Sequence, residues 1–142
     1  MNNLVNISEG TSLAIHGLGL LAESAPDRIN VKAAAERLRA SEAHLAKVFG
    51  KLQKSGLVSS IRGPSGGFAL EKSPEEITFM EVYELFEAAV DPNACPLGRN
   101  HCPFGNCFFE GKIHKVSREI YGIMKQTTIS QMSRAVREKA DD

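Results

Sequence analysis

The sequence carries no excess charge of either sign and no long apolar segment. Lysine plus arginine and aspartate plus glutamate both number 17 in the 142 residues, so the total charge does not indicate a nucleic-acid partner. The most apolar stretch, residues 13–22, is about half as long as the roughly 20 residues that a membrane-spanning helix needs, and no positively charged region precedes it. We therefore expect a cytoplasmic protein without a membrane segment.

Two sequence patterns that are typical of enzymes are also missing. No set of nucleophile, base and orienting residue can be recognised, and no phosphate-binding glycine loop precedes a predicted helix. The sequence therefore predicts a protein that is not an enzyme.

Cysteine is scarce, and its number is odd. Cys95, Cys102 and Cys107 lie within thirteen residues, in a loop rich in proline, glycine and asparagine. Three cysteines cannot form a complete disulfide framework, so in a reducing compartment they indicate a metal, a cluster or a reactive thiol. Structural zinc sites usually pair cysteines at C-x2-4-C, which the C-x6-C-x4-C spacing matches poorly. An iron-sulfur cluster with a fourth, non-cysteine ligand is chemically allowed, while zinc, a thiol switch and an inert loop stay open.

Although the total charge is zero, its distribution along the chain is uneven. Residues 28–70 contain eight Lys or Arg and two Glu, whereas residues 71–91 contain seven acidic residues and one Lys. A basic half and an acidic half are compatible with DNA binding on one face and with regulation or assembly on the other.

The basic half contains a predicted amphipathic helix over residues 41–54. Ser41 is a favourable N-cap, and an apolar face recurs at helical spacing: Leu45, Val48, Phe49 and Leu52. A mostly basic stripe lies about 130° away from that face, at about 100° per residue. The stripe comprises His44, Lys47, Lys51 and Lys54. Such a stripe is often only a solvated face, but it can also contact a partner.

A glycine-rich hairpin follows this helix directly. Gly56 predicts the end of the helix, since glycine enters the left-handed region without a Cβ penalty. Two short strands over residues 58–62 and 67–71 flank a glycine-rich turn, with Arg62 at the tip. An arginine there suits the minor groove, and glycines let the backbone approach phosphates. Helix, glycine stop and arginine-tipped hairpin in this order predict the recognition helix and wing of a DNA-binding winged helix.

Two further helices are predicted before the recognition helix. Ser8 or Thr11 begins the first, which runs to about Ser24, and Asn30 caps a short second helix over residues 31–38. A turn over residues 39–41 then leads into the longer, more basic helix, which is the order of a helix-turn-helix.

Helical patterns continue after the wing. Residues 73–76 carry proline and acids, as a first helical turn prefers, and open a helix that ends near Asp91. The apolar face of that helix comprises Ile77, Met80, Val82, Leu85 and Phe86.

From Phe109 onward one long helix is predicted, because apolar residues alternate at steps of three and four. The seam comprises Ile113, Val116, Ile120, Ile123 and Thr127. It predicts contact with a second copy in a twofold dimer, the alternative being that it packs back on its own domain. A polar tail over residues 134–142 ends the chain.

The wing segment resembles the signature of the Rrf-two family of bacterial transcription regulators. The resemblance is carried by residues 56–70, which read GLVSSIRGPSGGFAL, and by residues 74–78, which read PEEIT. It extends over nearly the whole chain. It implies a homodimeric winged-helix repressor or dual regulator that binds a double-stranded DNA operator and often holds an iron-sulfur cluster on three cysteines.

The resemblance also implies site residues. Together with the basic stripe and the wing, it makes the following candidates for DNA binding: Ser41, Ala43, His44, Lys47, Lys51, Arg62, Gly63, Ser65 and Gly66. It implies a 2Fe-2S or 4Fe-4S cluster with these ligands: Cys95, Cys102, Cys107 and, at the position of a histidine in IscR-like members, Glu110. Because Glu110 departs from that pattern, Glu9, His101 and a small molecule remain alternatives. Phe104, Phe108 and Phe109 are expected to form an apolar lid over the cluster.

The sequence thus predicts a mainly α protein with a small β-hairpin wing. A winged helix-turn-helix DNA-binding domain spans residues 1–91, a cysteine-rich cluster loop 92–107, and a dimerisation helix with a polar tail 108–142. The predicted function is that of a homodimeric repressor whose DNA affinity is controlled by a cluster that senses nitric oxide, oxygen or iron-sulfur status. The alternatives are a metal-free regulator of the same family, which uses a thiol switch or a protein partner, and a small iron-sulfur electron carrier.

Overall fold

Six helices and one two-stranded hairpin make up the part of the chain that the structure describes. The computed structural model describes residues 5–140, and the side chains of residues 5–134. The elements are α1 (Glu9–Ser24), α2 (Val31–Leu38), α3 (Glu42–Lys54), β1 (Val58–Ile61), β2 (Gly67–Leu70), α4 (Phe79–Phe86), α5 (Lys112–Gln126) and α6 (Ile129–Ala140). The predicted mainly α architecture with a β-hairpin wing is confirmed. Within residues 5–140, no helix combines the length and the apolar character that crossing a bilayer requires.

Polar side chains begin the first three helices at the residues that the sequence predicts. Ser8 Oγ, Asn30 Oδ1 and Ser41 Oγ each accept a hydrogen bond from the backbone N–H three residues further on, at 3.2, 2.8 and 3.3 Å. Each cap satisfies an amide that has no partner inside its own helix, and losing such a cap costs about 1 kcal/mol.

Helix α3 is held in place by a core that its own apolar face helps to build. Leu45, Phe49 and Leu52 are fully buried. The centre of the Phe49 ring lies 4.8 Å from that of Phe68 in β2, and a Cβ on Gly17 of α1 would come within 2.5 Å of Phe49 Cε1. Glycine at position 17 therefore lets α1 and α3 approach each other closely around the ring.

The hairpin of β1 and β2 forms the wing. The strands pair antiparallel over four residues, with Ile61 opposite Gly67 next to the turn, and each strand is one residue shorter than predicted. Gly56 precedes the hairpin with a φ of 81°, which confirms the predicted glycine stop after α3. The backbone N–H and C=O of Ile29 also pair with those of Phe68, at 3.0 and 2.8 Å. The segment between α1 and α2 therefore lies along β2.

The helix after the wing begins later than predicted. Residues 74–76 form a turn that does not continue into a helix, and α4 starts at Phe79. Its N-cap is Thr78, whose Oγ1 accepts a hydrogen bond of 3.1 Å from Glu81 N–H. Thr78 is extended and forms a bridge with the chain just before α6, and a Thr-x-x-Glu capping pattern marks the true start. The helix also ends at Phe86, before the predicted end near Asp91.

The C-terminal segment forms two helices instead of the one long helix predicted from the apolar seam. The chain leaves helical geometry at Thr127, with φ −82° and ψ 124°. Phe79 N–H donates to the Thr127 carbonyl at 2.9 Å, and Ile129 N–H donates to the Ile77 carbonyl at 3.0 Å. This antiparallel bridge, with Ile129 fully buried, overrides the helical periodicity and turns α6 back onto α1. The predicted tail is helical to residue 140, and residues 141–142 lie outside the described residues.

Candidate nucleic-acid interface and cysteine site

One face of α3 is open to solvent and carries small residues around a lysine. Ala43 and Lys47 are exposed, and a Cβ at Gly50 would meet no heavy atom within 4 Å. Exposed Lys54 continues this outward row, which comprises Ala43, Lys47, Gly50 and Lys54. At about 100° per residue these four positions lie within about 60° of one another around the helix axis, on the side opposite the buried Leu45. Small side chains let a recognition helix come close to the floor of the major groove. Gly50 was not among the residues predicted to contact DNA, because a lone glycine in a helix gives no such signal.

Two predicted DNA contacts on α3 lie on a different flank of the helix. His44 Nδ1 is 3.8 Å from Glu9 Oε1 at the start of α1. Lys51 Nζ is 4.7 Å from the centre of the Phe86 ring at the end of α4, a favourable cation–π distance. Ser41 is exposed, but its hydroxyl serves as the N-cap of α3. Contact of these three side chains with DNA stays a prediction.

The wing turn presents its predicted contacts to solvent. Arg62, Gly63 and Ser65 are exposed, and Gly66 N–H closes the turn by donating to the Gly63 carbonyl at 2.9 Å. A Cβ on Gly66 would clash with the Ile61 carbonyl oxygen, so the turn accepts only glycine at this position. The structure thus brings together the wing residues that the sequence predicts, with Arg62 directly after β1.

Arg28, which the sequence did not predict for the site, lies against the wing. Its Nη1 donates to the carbonyl oxygens of Ser59 and Gly67, at 3.3 and 3.2 Å, and its Nη2 donates to Ser59 Oγ at 3.2 Å. One half-buried guanidinium therefore connects β1 with β2. No sequence signal identifies this contact, because Arg28 lies in the turn between α1 and α2 and meets the wing only through the fold.

All three cysteines line one open cavity of about 700 Å³ in the loop between α4 and α5. Cys95 and Cys102 are half-buried, Cys107 is exposed, and the three are free thiols. Aromatic rings line the same cavity, but Phe104 and Phe108 are each 86% exposed. The expected apolar lid is therefore open in the single chain, since little besides the loop itself supports these rings.

Backbone amides surround the Cys95 thiol. The N–H groups of Arg99 and Leu97, and more weakly that of Gly98, hold the pKa of Cys95 below its usual range, and the Arg99 charge acts in the same direction. Burial opposes these effects only in part. Hydrogen bonds to sulfur favour the thiolate, which is the form that binds soft metals and reacts with oxidants.

The three sulfur donors of this cavity are chemically compatible with an iron-sulfur cluster. Within the described residues, no three His, Cys, Asp or Glu side chains converge closely enough to bind one ion. Three thiolates around a cavity of this size can instead hold a cluster, whose bridging sulfides make it larger than one ion.

Glu110, the predicted fourth ligand, does not line the cysteine cavity. It lies beside a neighbouring cavity, and its carboxylate accepts a hydrogen bond of 2.7 Å from Lys112 Nζ. His101 is exposed and does not line the cysteine cavity either. His114, in the first turn of α5, is half-buried and does line it. Because His114 lies one helical turn beyond the predicted position, only the fold makes it a candidate.

Glu87, the residue after α4, attaches the start of the cysteine loop to the first helix. Its carboxylate accepts hydrogen bonds from Ser8 N–H, at 3.0 Å, and from the Thr11 hydroxyl. The hydroxyls of Ser8 and Thr11, then Ser8 N–H and the charge of Lys51 in α3, hold the pKa of Glu87 below its usual range. The base of the loop is thereby connected to both α1 and α3.

We expect the Glu87 contact to make part of the stability depend on acid pH. The pKa of Glu87 is lower in the folded than in the unfolded chain. The carboxylate therefore adds to the free energy of unfolding above the unfolded pKa, roughly 4.3, and this contribution is lost as pH falls through the folded pKa. Glu87→Gln should therefore lower the unfolding temperature at about pH 7, and its difference from the wild type should shrink as the pH falls through the folded pKa. Thermal unfolding followed by circular dichroism measures both curves, and Glu76→Gln controls for removing an exposed carboxylate. A constant offset between wild type and Glu87→Gln across this range would contradict the expectation.

Helix α5 contains no buried residue, although its sequence has an apolar seam. Ile120 is half-buried beside Met80 of α4. Ile113, Val116 and Ile123 are 38, 49 and 64% exposed. The seam is thus divided, with one edge packed on α4 and the other open to solvent.

A helix-turn-helix, an arginine-tipped hairpin after its second helix and a solvent-facing row on that helix define a winged-helix DNA-binding protein. The family model of Rrf2, described as iron-dependent transcriptional regulator, matches residues 7–135. The chain belongs to this family of transcriptional regulators, which confirms the resemblance of the wing segment to the family. Since its relatives are DNA-binding regulators, the prediction that the protein is not an enzyme is also confirmed.

Individual relatives agree with this assignment. The chain is 32% identical over 128 residues to an HTH-type transcriptional regulator of Aquifex aeolicus, covering 88% of this chain and 89% of that protein. It is 35% identical over 98 residues to IscR of Photorhabdus laumondii, covering 68% of this chain but only 59% of that relative. The solved structure of IscR from T. potens has a TM-score of 0.77 at 23% identity, covering 96% of this chain and 91% of that one. CymR, described as the global cysteine regulator of B. subtilis, has a TM-score of 0.77 at 20% identity, covering 93% and 98%. These two structures show the same fold.

Proposed function

We propose that the protein is a homodimeric, sequence-specific repressor in the cytoplasm, whose affinity for operator DNA is controlled by an iron-sulfur cluster. Cys95, Cys102 and Cys107 would hold the cluster, as 2Fe-2S or 4Fe-4S. The observation that carries the proposal is that these three thiols line one cavity in the loop between α4 and α5. A bound cluster supplies a centre that nitric oxide or oxygen can attack and that loss of iron can disassemble.

DNA reading in this proposal uses the outward row of α3 and the wing. Ala43 and Gly50 let α3 approach the major groove, where Lys47 contacts a base edge or a phosphate. Arg62 enters the neighbouring minor groove, whose negative potential attracts a guanidinium, and the glycine-rich turn brings backbone N–H groups to the phosphates.

The proposed coupling runs through the two ends of the cysteine loop. At its start, Glu87 is bonded to the first turn of α1 and is attracted by Lys51 of α3. At its end the chain enters α5 and its exposed seam. Gain or loss of the cluster would therefore change the loop at points connected to both the reading helix and the dimer contact, and so alter the spacing of the two DNA-reading units.

A second copy of this chain is the proposed partner of the exposed edge of α5. Scattered apolar side chains are ordinary on a protein surface, but Ile113, Val116 and Ile123 follow the spacing of a helix–helix seam. A twofold pair of helix-turn-helix units also matches the repeated half-sites that such regulators read in DNA.

Ile123→Glu is expected to convert the dimer into a monomer, because the contact would desolvate a carboxylate. The dimer dissociation constant, measured by analytical ultracentrifugation, should rise at least about 100-fold. Lys125→Glu, an exposed position on the opposite side of α5 from this edge at about 100° per residue, is the control and should leave the dimer intact. A dimer that survives Ile123→Glu would exclude this edge of α5 from the interface.

The cofactor is tested on protein purified without oxygen, by measuring the absorption spectrum, iron and sulfide on one sample. We expect a brown protein with stoichiometric iron and sulfide. The Cys102→Ser variant should be colourless and iron-free, because only two thiolates would remain, too few to hold the cluster. A colourless, iron-free wild type that still binds DNA would overturn the cluster.

The fourth ligand is tested in the same preparation. Glu110 is proposed from its position after Cys107, and His114 competes with it because His114 lines the cysteine cavity. Glu110→Ala and His114→Ala are compared by their spectra and by the rate at which each loses its iron. The substitution that changes both identifies the ligand, and no change in either variant excludes both residues and moves the test to Glu9, His101 and a small molecule.

The regulatory step is tested with a DNA duplex that the wild-type protein selects from a random-sequence pool. Cluster-loaded and cluster-free protein should differ in affinity for this duplex at least about tenfold. Equal affinities would contradict control by the cluster while leaving DNA binding intact.

A metal-free thiol switch is the second candidate function. It is supported by the three free thiols that share one cavity and by the fold likeness to CymR, described as a cysteine regulator. It predicts a colourless protein whose affinity for the selected duplex changes when the thiols are oxidised with diamide and returns on reduction.

A further inference from the structure

We propose that Arg28 is a positioning residue that fixes the angle of the wing and thereby determines how Arg62 engages DNA. The inference rests on the proposed DNA-reading role of the wing. It adds to that role a residue that lies outside both the recognition helix and the hairpin.

The first observation is the set of hydrogen bonds that the guanidinium makes. Arg28 Nη1 donates to a carbonyl oxygen on each strand, that of Ser59 on β1 and that of Gly67 on β2, and Nη2 donates to the Ser59 hydroxyl. The two strands are therefore linked by one side chain, which bonds Ser59, three residues before Arg62, and Gly67, next to the turn. A planar fork with several donors suits these three bonds, which a lysine ammonium would make less well.

The second observation is that the backbone next to Arg28 continues the same attachment. Ile29 pairs with Phe68 in both directions, at 3.0 and 2.8 Å. A Cβ on Gly67, which has a φ of 134°, would come within 2.6 Å of the Ile29 carbonyl carbon and oxygen. The segment thus lies in direct contact with the backbone of β2.

These contacts matter because an isolated two-stranded hairpin is marginally stable. With residues 28 and 29 attached, the hairpin has a third strand-like neighbour and a cross-link, so the wing is oriented before DNA arrives. Pre-organisation lowers the cost of binding, since fewer degrees of freedom are lost when Arg62 enters the groove. The three recorded acceptors of Arg28 are neutral oxygens, so its role here does not depend on an ion pair.

The test is a double-mutant cycle on full-length protein with the selected DNA duplex. Arg28→Met should weaken binding about tenfold when Arg62 is present and less than about twofold in an Arg62→Ala background. A residue that acts through Arg62 gives this non-additive result, whereas a residue that contacts a phosphate itself weakens binding equally in both backgrounds. Lys115→Met removes one positive charge far from the wing and controls for total charge.

A second measurement follows the wing without DNA. Amide hydrogen exchange in residues 58–70 should become about tenfold faster in Arg28→Met, while the exchange of α1 and α3 stays unchanged. Arg28→Lys keeps the charge but loses the planar fork, so it should show the same changes in exchange and in binding. If Arg28→Met does not fold, Arg28→Lys replaces it in both measurements.

Two outcomes would overturn the proposal in distinguishable ways. If Arg62→Ala alone leaves affinity unchanged, the wing has no role in DNA binding and the proposal fails together with that part of the function. Suppose instead that Arg62→Ala weakens binding. If the fold-losses in affinity caused by the two substitutions then multiply, or if amide exchange in the wing is unchanged, DNA reading by the wing stands and the positioning role of Arg28 is wrong.

Discussion

Replacing Phe49 by alanine is expected to lower the free energy of unfolding by about 4 kcal/mol, because the ring is fully buried and its removal leaves a cavity. The ring joins α3 to α1 at Gly17 and to the wing at Phe68. Domains of this size have a free energy of unfolding of only roughly 5–15 kcal/mol, so the variant would lose a large part of its stability. Urea unfolding at a fixed protein concentration measures the change.

The same substitution at Phe104 is the matched control. That ring is 86% exposed, so its loss should change the free energy of unfolding by less than about 0.5 kcal/mol. If Phe49→Ala were no more destabilising than Phe104→Ala, the ring would not be the joint between α3, α1 and the wing.

Gly66→Ala is expected to weaken binding of the selected DNA duplex by about 100-fold or more while the helices stay folded. The added methyl group would clash with the Ile61 carbonyl oxygen and would lie 2.9 Å from the Gly63 carbonyl oxygen. Both partners are backbone atoms, so the turn must open, and Arg62 then loses its position. Fluorescence anisotropy with labelled duplex measures affinity, and circular dichroism checks the helices.

Gly122→Ala adds the same methyl group where there is room for it. No heavy atom lies within 4 Å of a Cβ at this position in α5, so the substitution should stabilise the helix by about 1 kcal/mol and leave DNA binding unchanged. If Gly66→Ala bound the duplex as tightly as Gly122→Ala, the closed wing turn would not be needed for DNA binding.

The DNA-reading half of the fold was predictable because its signals are local. Ser8, Asn30 and Ser41 each cap a helix through an amide three residues away, and Gly56 ends α3 through its own backbone conformation. Such features depend on a few neighbouring residues, so they can be recognised without knowing the rest of the structure.

The C-terminal part was mispredicted because long-range pairing decides it. The seam spacing continues through Thr127, yet this residue and Ile129 pair with the chain at residues 77–79, about fifty positions earlier. That same pairing keeps Thr78 extended and delays the start of α4 to Phe79. A backbone bridge of this kind has no periodic signal, so the helical pattern alone could not reveal it.

The candidate site likewise has residues that local sequence could predict and residues that only the fold brings to it. The three cysteines are close in sequence, so their shared cavity could be expected, and the exposed Arg62 follows from the turn that carries it. Arg28 and His114 join their sites only through packing, and Lys51 shares the basic stripe of α3 yet lies over Phe86. Helical spacing predicts the face on which a side chain lies but not which neighbouring element covers it.

The backbone bridge before α6 has a mechanical consequence for α5. It pins the C-terminal end of α5 to the chain at the start of α4, whereas the N-terminal end emerges from the cysteine loop. With 15 residues, α5 is about 22 Å long, so it is a lever whose fulcrum lies at residues 127–128. A sideways shift of about 1 Å at the loop turns a lever of this length by about 3°. In the proposed dimer, a small rearrangement around the thiols is thereby expected to reach the partner copy as a change of angle, which grows into a larger displacement with distance from the fulcrum.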